Sequence, residues 1–188
     1  MNDYLKRNLS TRVKKTLTDK KLKPAAVLVP LFNDGNEFHM LLTRRSEKVP
    51  HHKGQISFPG GQPHKKDPDL LQTALRESWE EIGLKPEDVQ VIGELDDTPT
   101  LTSGFIITPF VGVIPYPYSF KLNLRETTEI FDVSLSKLMN NSVYQKQAVD
   151  DQGIMQQAYI YRGFTIWGAT ARIITQLLDT IKNGGGTS

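Results

Sequence analysis

Three glutamates stand close together at Glu77, Glu80 and Glu81, directly after Arg76. On a helix, the 77/80 and 77/81 spacings are i,i+3 and i,i+4, so the three carboxylates are neighbours. Like charges so placed cost about 0.2–0.5 kcal/mol per pair unless something positive offsets them. Arg76 precedes Glu80 by one helical turn and can supply one charge. A hard divalent cation can supply two more, and carboxylate oxygen is the donor that magnesium and manganese prefer. A solvated acidic helix face is the plainer reading of the same residues. Upstream, Gly60 and Gly61 lie between a short apolar run and this helix. Glycine permits close backbone approach and positive φ, which suits a loop wrapped around phosphate oxygens. Gly83 follows Ile82 as a natural helix stop. A short strand, a glycine turn and a helix with clustered carboxylates form a construction that can hold a metal against a phosphate.

Other residues are weaker candidates for the same site. Arg44 and Arg45 end an apolar run, and either guanidinium could hold a phosphate through its planar fork. Strand alternation puts them on opposite faces, so at most one is expected to face the site, with surface charge as the alternative. His51, His52 and His64 fall in loops without metal-site pairing, and exposed loop histidine is preferred to a phosphate contact. Asp67-Pro68 reads as an N-cap followed by proline at N1, in preference to a ligand role for Asp67. Glu126 and Glu129 precede an apolar, strand-like stretch, and solvated acids are the alternative to a role in the site. Trp167 and Phe105 are assigned to the core rather than to a cofactor stack.

Several elements must position these residues. The helix predicted over Pro68–Ile82 gathers Leu71, Ala74, Leu75, Ser78 and Ile82 on one arc, turned away from the glutamates. Strands are expected over Ala25–Phe32, Phe38–Thr43, Gln55–Phe58, Val89–Leu95 and Phe105–Ile114, with a turn at Asn33-Asp34-Gly35-Asn36. Ser134–Met139 reads as a short helix and Thr170–Ile181 as an amphipathic closing helix. Val143–Gln147 and Met155–Tyr161 read as a hairpin around Asp150-Asp151-Gln152-Gly153. Strands and helices alternate irregularly, which suggests an α+β or α/β domain whose mixed sheet lies between helices.

Residues 1–23 hold eight basic side chains against two acids, Asp3 and Asp19. Leu5, Leu9, Val13 and Leu17 recur near helical spacing there, so a basic amphipathic helix is expected to precede a main domain over residues 24–182. A solvated helix lying on the domain is preferred to a lure for a polyanion. The Gly184-Gly185-Gly186 tail, within residues 183–188, is expected to be mobile.

The chain has 188 residues, 38% hydrophobic and 23% charged, which suits one ordinary globular domain and argues against disorder. It has no cysteine, which rules out disulfides, thiolate nucleophiles, zinc–cysteine sites and iron–sulfur clusters. No apolar run approaches the roughly 20 residues that span a bilayer, and no secretory leader is evident. A cytoplasmic location is the default expectation. The net charge of +2 is too small to suggest nucleic acid.

The nine residues Arg76 to Leu84 resemble the core of the Nudix box. Leu41-Leu42-Thr43-Arg44-Arg45-Ser46, followed by Gly54 to Gly61, resembles the additional signature of the coenzyme A diphosphatases within that superfamily. The similarity resumes at Gly93-Glu94-Leu95, at Gly104-Phe105 with Thr108-Pro109, and at Ile166-Trp167-Gly168 with Thr170-Ala171. It spans most of residues 25–181 and leaves the basic N-terminal segment outside. The spacer from Gly61 to Arg76 is one residue longer than in the common box, as in that subfamily. Asp67 replaces the usual first glutamate, Ser78 stands where an aliphatic residue is usual, and Pro50 stands where many members of the subfamily carry arginine.

The resemblance implies an α/β/α sandwich that hydrolyses a diphosphate linkage with Mg2+ or Mn2+. It implies Glu77 and Glu81 as main metal ligands, and Glu80 as a third ligand or as the base that activates water. It makes Arg76 the residue that orients a glutamate, and gives Gly61 a backbone role at the metal. It offers Glu129 as a late catalytic acid, and Arg44, Arg45, Gly60 and Gly61 as contacts to substrate. The expected substrate is coenzyme A or a thioester, cleaved to adenosine 3′,5′-bisphosphate and 4′-phosphopantetheine or its acyl derivative. ADP-ribose, dinucleotides, nucleotide sugars and nucleoside triphosphates are alternatives, and a silent binding module is a further one. Neither a membrane nor a nucleic acid is an expected partner, and a homodimer is compatible with the superfamily.

Overall fold

Every residue from Ala25 to Phe32 is buried, because the strand that carries them lies in a sheet covered on both faces. The computed structural model describes residues 2–49, 53–139, 144–149 and 155–183. Strand β1 (Lys23–Asn33) runs antiparallel to β2 (Phe38–Arg45) and parallel to β7 (Phe105–Val113). The turn between β1 and β2 is held by Asp34 Oδ1, which accepts from the N–H groups of Asn36 and Glu37. The two-residue strands β3 (Ile56–Ser57) and β4 (Gly60–Gly61) pair with β2 and β1 respectively. Strands β5 (Gln90–Glu94) and β6 (Thr98–Pro99) pair with β7, and β8 (Thr127–Ser134) pairs with β2. These make one mixed sheet of eight strands.

Alternation along the strands sorts the core into two halves. Met40 and Leu42 face a cluster shared with helices α1 (Asn2–Thr11) and α4 (Gly168–Asn183). Leu41 faces the cluster shared with helix α2 (Leu70–Ile82). The short helix α3 (Leu135–Met139) follows β8, and a second sheet of β9 (Tyr144–Val149), β10 (Met155–Tyr161) and β11 (Phe164–Trp167) leads into α4. The hairpin of β9 and β10 forms as expected, while its turn lies outside the described residues, as do Pro50, His51, His52 and the glycine tail. No described helix is long and apolar enough to cross a membrane.

The basic N-terminal segment departs from its expected form. It is helical only over Asn2–Thr11 and not to residue 23. Leu5 and Leu9 are buried in the core, but Val13 and Leu17 are exposed. Acids beside β5 take over the chain after Thr11. Arg12 pairs with Asp96 at 2.5 Å, and Lys14 with Glu94 and Asp97 at 2.9 and 3.0 Å. The backbone N–H groups of Lys15 and Leu17 donate to Asp96 and Asp97. These bonds replace the next helical turn, so α1 is part of the core rather than an appendage laid upon it. Its Tyr4 hydroxyl donates to the Ile181 carbonyl at 2.8 Å, clasping α1 to the last turns of α4.

Candidate metal and diphosphate site

Helix α2 forms as its pattern dictates, with one correction at its start. Ala74, Leu75, Ser78 and Ile82 are buried against β1, and the Ser78 hydroxyl is satisfied by the Ala74 carbonyl at 2.7 Å. Gly83 closes the helix in the left-handed conformation, at φ 70°. The N-cap is Asp69, whose side chain accepts from the Gln72 N–H, and the helix begins at Leu70 rather than Pro68. Asp67 neither caps the helix nor joins the acidic cluster. Its carboxylate takes the fork of Arg76, from Nε at 3.0 Å and from the terminal NH2 at 2.9 Å. It also accepts from the Thr73 hydroxyl and the His64 N–H. The Arg76 guanidinium, followed by the His64 N–H, holds this carboxyl well below the usual carboxylate range.

The remaining donors of Arg76 serve the glutamates. The other terminal nitrogen donates to Glu77 at 2.8 Å and to Glu80 at 2.9 Å. Arg76 is thus a junction, fixed at one side by Asp67 and at the other by two glutamates. Its partner carboxylates, Asp67 first, raise its already high pKa further.

The three glutamates of α2 divide. Glu77 and Glu81 turn toward the glycines and join Glu126, with one carboxylate oxygen from each within 4.8 Å of the others. Glu80 points outward with about half of its side chain exposed. Glu126 is delivered by the segment that follows β7. Its backbone caps the open end of α2, as Lys121 N–H donates to Ile82 O and Asn123 N–H to Glu81 O, both at 2.9 Å. Asn123 Nδ2 then donates to the Glu126 carboxylate at 3.1 Å.

The expected late acid, Glu129, is not in the cluster. It pairs across the sheet with Arg44, its carboxylate 3.0 Å from Nε. Glu126 lies in the turn before β8, where its N–H donates to the Asn123 carbonyl, whereas Glu129 lies within β8 and follows the strand's alternation away from the cluster. The sequence offers both acids before the strand, and the turn that brings Glu126 to the cluster is held by long-range backbone bonds that no local spacing signals. Arg44 and Arg45 do lie on opposite faces. Arg45 faces the carboxylates, 3.7 Å from Glu81, and its buried Nε has no hydrogen-bond partner. Arg44 lies over the Phe164 ring, 4.8 Å from its centroid.

The glycines set the distance between the loop and the helix. A side chain at Gly61 would put Cβ 2.6 Å from the Glu77 carboxyl carbon. At Gly60, φ is 154° and Cβ would meet the Ala26 carbonyl at 2.3 Å. The Gly60 N–H donates to the Glu81 carboxylate. His64 is exposed at the start of the Asp67 turn, and its Nδ1 accepts from Lys66 N–H. Phe105 begins β7, and Trp167 ends β11 half-buried at the wall of a separate cleft.

Burial pushes the Glu81 carboxyl up to about 8, helped by Glu77 and Glu126 and opposed by Arg45 and the Gly60 N–H. Burial also raises Glu77, with Arg76 opposing. Three gathered carboxylates, two of them pushed toward the neutral form by burial, beside a loop with no room for a side chain, suit a divalent cation. Its charge would remove their mutual repulsion, and the all-oxygen donor set is that of a hard ion.

Comparison with known proteins agrees with this geometry. The family model of the NUDIX domain matches residues 22–138. A Photorhabdus laumondii protein named as an uncharacterized Nudix hydrolase, NudL, is 38% identical over 170 residues, covering 89% of each chain. A Pectobacterium atrosepticum protein of the same name is 37% identical, covering 86% of this chain and 84% of its own. Among solved structures, a MutT/nudix family protein from Enterococcus faecalis superposes with a TM-score of 0.58 at 12% identity, covering 97% of this chain and 70% of its own. The NUDIX domain of Shewanella oneidensis NrtR, solved with ADP ribose, gives 0.55 at 14% identity, covering 88% of this chain and 89% of its own. These two likenesses speak for the fold. With the family model across most of the chain and relatives matched nearly end to end, the chain belongs to the Nudix hydrolase family and is an enzyme that cleaves a diphosphate linkage.

Proposed function

We propose that the enzyme hydrolyses the diphosphate of coenzyme A or its thioesters in the presence of Mg2+ or Mn2+. The observation that carries the chemistry is the convergence of Glu77, Glu81 and Glu126 at the Gly60-Gly61 loop, with Arg45 facing them. The similarity of Leu41–Ser46 and Gly54–Gly61 to the coenzyme A diphosphatase signature supports that substrate over other diphosphates.

The residues take distinct parts. Glu77, Glu81 and Glu126 would hold the cation, and Gly61 leaves room for the Glu77 carboxylate against the loop. A divalent cation lowers the pKa of water and spreads the negative charge that builds on phosphoryl oxygens. Arg45 has its Nε unsatisfied and directs the guanidinium at the cluster, so it holds an oxygen of the diphosphate. Arg76 engages Glu80 Oε2, which leaves Oε1 of that exposed carboxylate to accept the proton of the attacking water. The water oxygen bonds to one phosphorus, and the bridging oxygen leaves with the other phosphate. The products are adenosine 3′,5′-bisphosphate and 4′-phosphopantetheine or its acyl derivative.

The test is product analysis by mass spectrometry with either cation. The panel is coenzyme A, an acyl thioester, ADP-ribose, reduced dinucleotide, a nucleotide sugar and a nucleoside triphosphate. Coenzyme A or its thioester should be cleaved well ahead of the rest. Preference for another diphosphate would leave the chemistry and discard the substrate, and silence across the panel would discard both.

A further inference from the structure

Arg44 and Arg45 are consecutive, yet they serve different spaces. Arg45 faces the carboxylates, while Arg44 lines a cleft of about 340 Å3 on the opposite face of the sheet. Gln55 and Ile56, at β3, form one wall of the cleft, and Phe164 and Trp167 of β11 form the other. Lys53 stands at its rim. The volume lies within the range of small-molecule pockets. The cleft adjoins the site through the backbone, since the Gln55 carbonyl accepts from the Arg45 N–H at 2.9 Å. Strand β3 is two residues long, and the Arg45–Gln55 bond is the last of its ladder with β2, so a bound molecule can pass from one face to the other round that end of the strands.

The lining combines cations with flat rings. The Arg44 guanidinium lies on Phe164, and its buried Nε sits near Glu129 but off the hydrogen-bonding direction, without a partner. Lys53 makes no ion pair among the described residues. Two acids stand close by, Glu47 in the lining and Glu129 behind Arg44, so the cleft has no large excess of positive charge. Free phosphate alone would gain little there. An anion carried on an aromatic base gains both ring contact and the open donors of Lys53. The diphosphate cannot be what these cations serve, because it belongs on the other face with Arg45.

We propose that the cleft between β3 and β11 holds the phosphorylated adenosine end of the substrate. The base lies against Trp167, and Lys53 holds the 3′-phosphate, with Arg44 on the Phe164 ring behind it. This rests on coenzyme A being the substrate, and two experiments separate the claims. The first is calorimetric titration, with magnesium present, of adenosine 3′,5′-bisphosphate and of 5′-AMP into the wild type and Lys53→Ala. The wild type should bind the bisphosphate about tenfold more tightly, as one charge-assisted contact allows. Lys53→Ala should erase that preference and leave 5′-AMP binding unchanged. The second is turnover of coenzyme A against 3′-dephospho-coenzyme A by the same two proteins. The loss of the 3′-phosphate should raise KM with kcat little changed in the wild type, and Lys53→Ala should make the two substrates equal. Equal binding of the two nucleotides by the wild type, or a preference that survives Lys53→Ala, overturns the cleft assignment even if coenzyme A is cleaved. A Lys53-dependent preference in an enzyme that leaves coenzyme A intact keeps the cleft and overturns the substrate.

Discussion

Glu126 and Glu129 offer a sharp contrast between two acids near each other in the chain. Glu126 joins the cluster, whereas Glu129 neutralises Arg44 on the far face. Glu126→Gln should therefore lower kcat by several powers of ten, alongside Glu77→Gln and Glu81→Gln, since metal charge stabilisation is worth several kcal/mol. Glu129→Gln should stay within a few-fold of the wild type, and steady-state rates at saturating magnesium decide the matter. Glu81 adds a pH dependence. Its carboxyl loses a proton near 4.5 in the unfolded chain, but only near 8 in the folded, metal-free protein. Between those values the folded state binds more protons, so metal-free stability falls as pH rises. Thermal melts in chelator should show Tm dropping from pH 5 to pH 8, and Glu81→Gln should flatten that slope. In the wild type, cation binding should release a proton below pH 8 and weaken about tenfold for each unit of acidification. A proton-independent affinity would contradict the buried state of Glu81.

At the scale of elements, the site depends on how a loop, a helix and a returning segment are clamped. Gly61→Ala should keep the fold and cut activity by at least about a hundredfold, because its Cβ would displace the Glu77 carboxylate. Circular dichroism beside turnover separates the two effects. Arg76→Lys should also be costly, since an ammonium cannot hold Asp67 in a fork and reach two glutamates together. Much of this assembly was legible in the sequence. The spacing of Glu77 and Glu81, the buried arc of α2 and the Gly83 stop are local features, set by helical geometry. The role of Asp67 was not, because Asp67-Pro68 satisfies the local rule for a helix start while Asp69 does the capping. Glu126 was recognised as an acid before a strand. Its place depends on backbone bonds to the end of α2, which no local pattern records. The end of α1 was misjudged for a similar reason, as Asp96 and Asp97 lie far along the chain from the segment they capture.

On the scale of the whole molecule, the sheet separates two cores, and the helices on each side contribute differently. Helix α2 brings chemistry to one face, while α1 and α4 close the other. Leu9 packs against Gly93 of β5, where any side chain would place Cβ 2.6 Å from the Leu9 Cβ. Leu9→Ala should cost about 2–5 kcal/mol, as for other buried leucines. At about 2–4 °C per kcal/mol for a chain of this size, Tm should fall by several degrees. At temperatures well below the new Tm, KM should be unchanged, since Leu9 lies on the face opposite α2. A near-normal Tm would place α1 outside the cooperative unit.

The clasp between Tyr4 and Ile181 joins residues that are almost the whole sequence apart. Chain connectivity and spatial order are therefore separable here. A circular permutant with a short glycine–serine bridge between the two ends, newly opened in the exposed Leu101–Ser103 turn, should keep α1 against α4 and leave Glu77, Glu81 and Glu126 converging at the same loop.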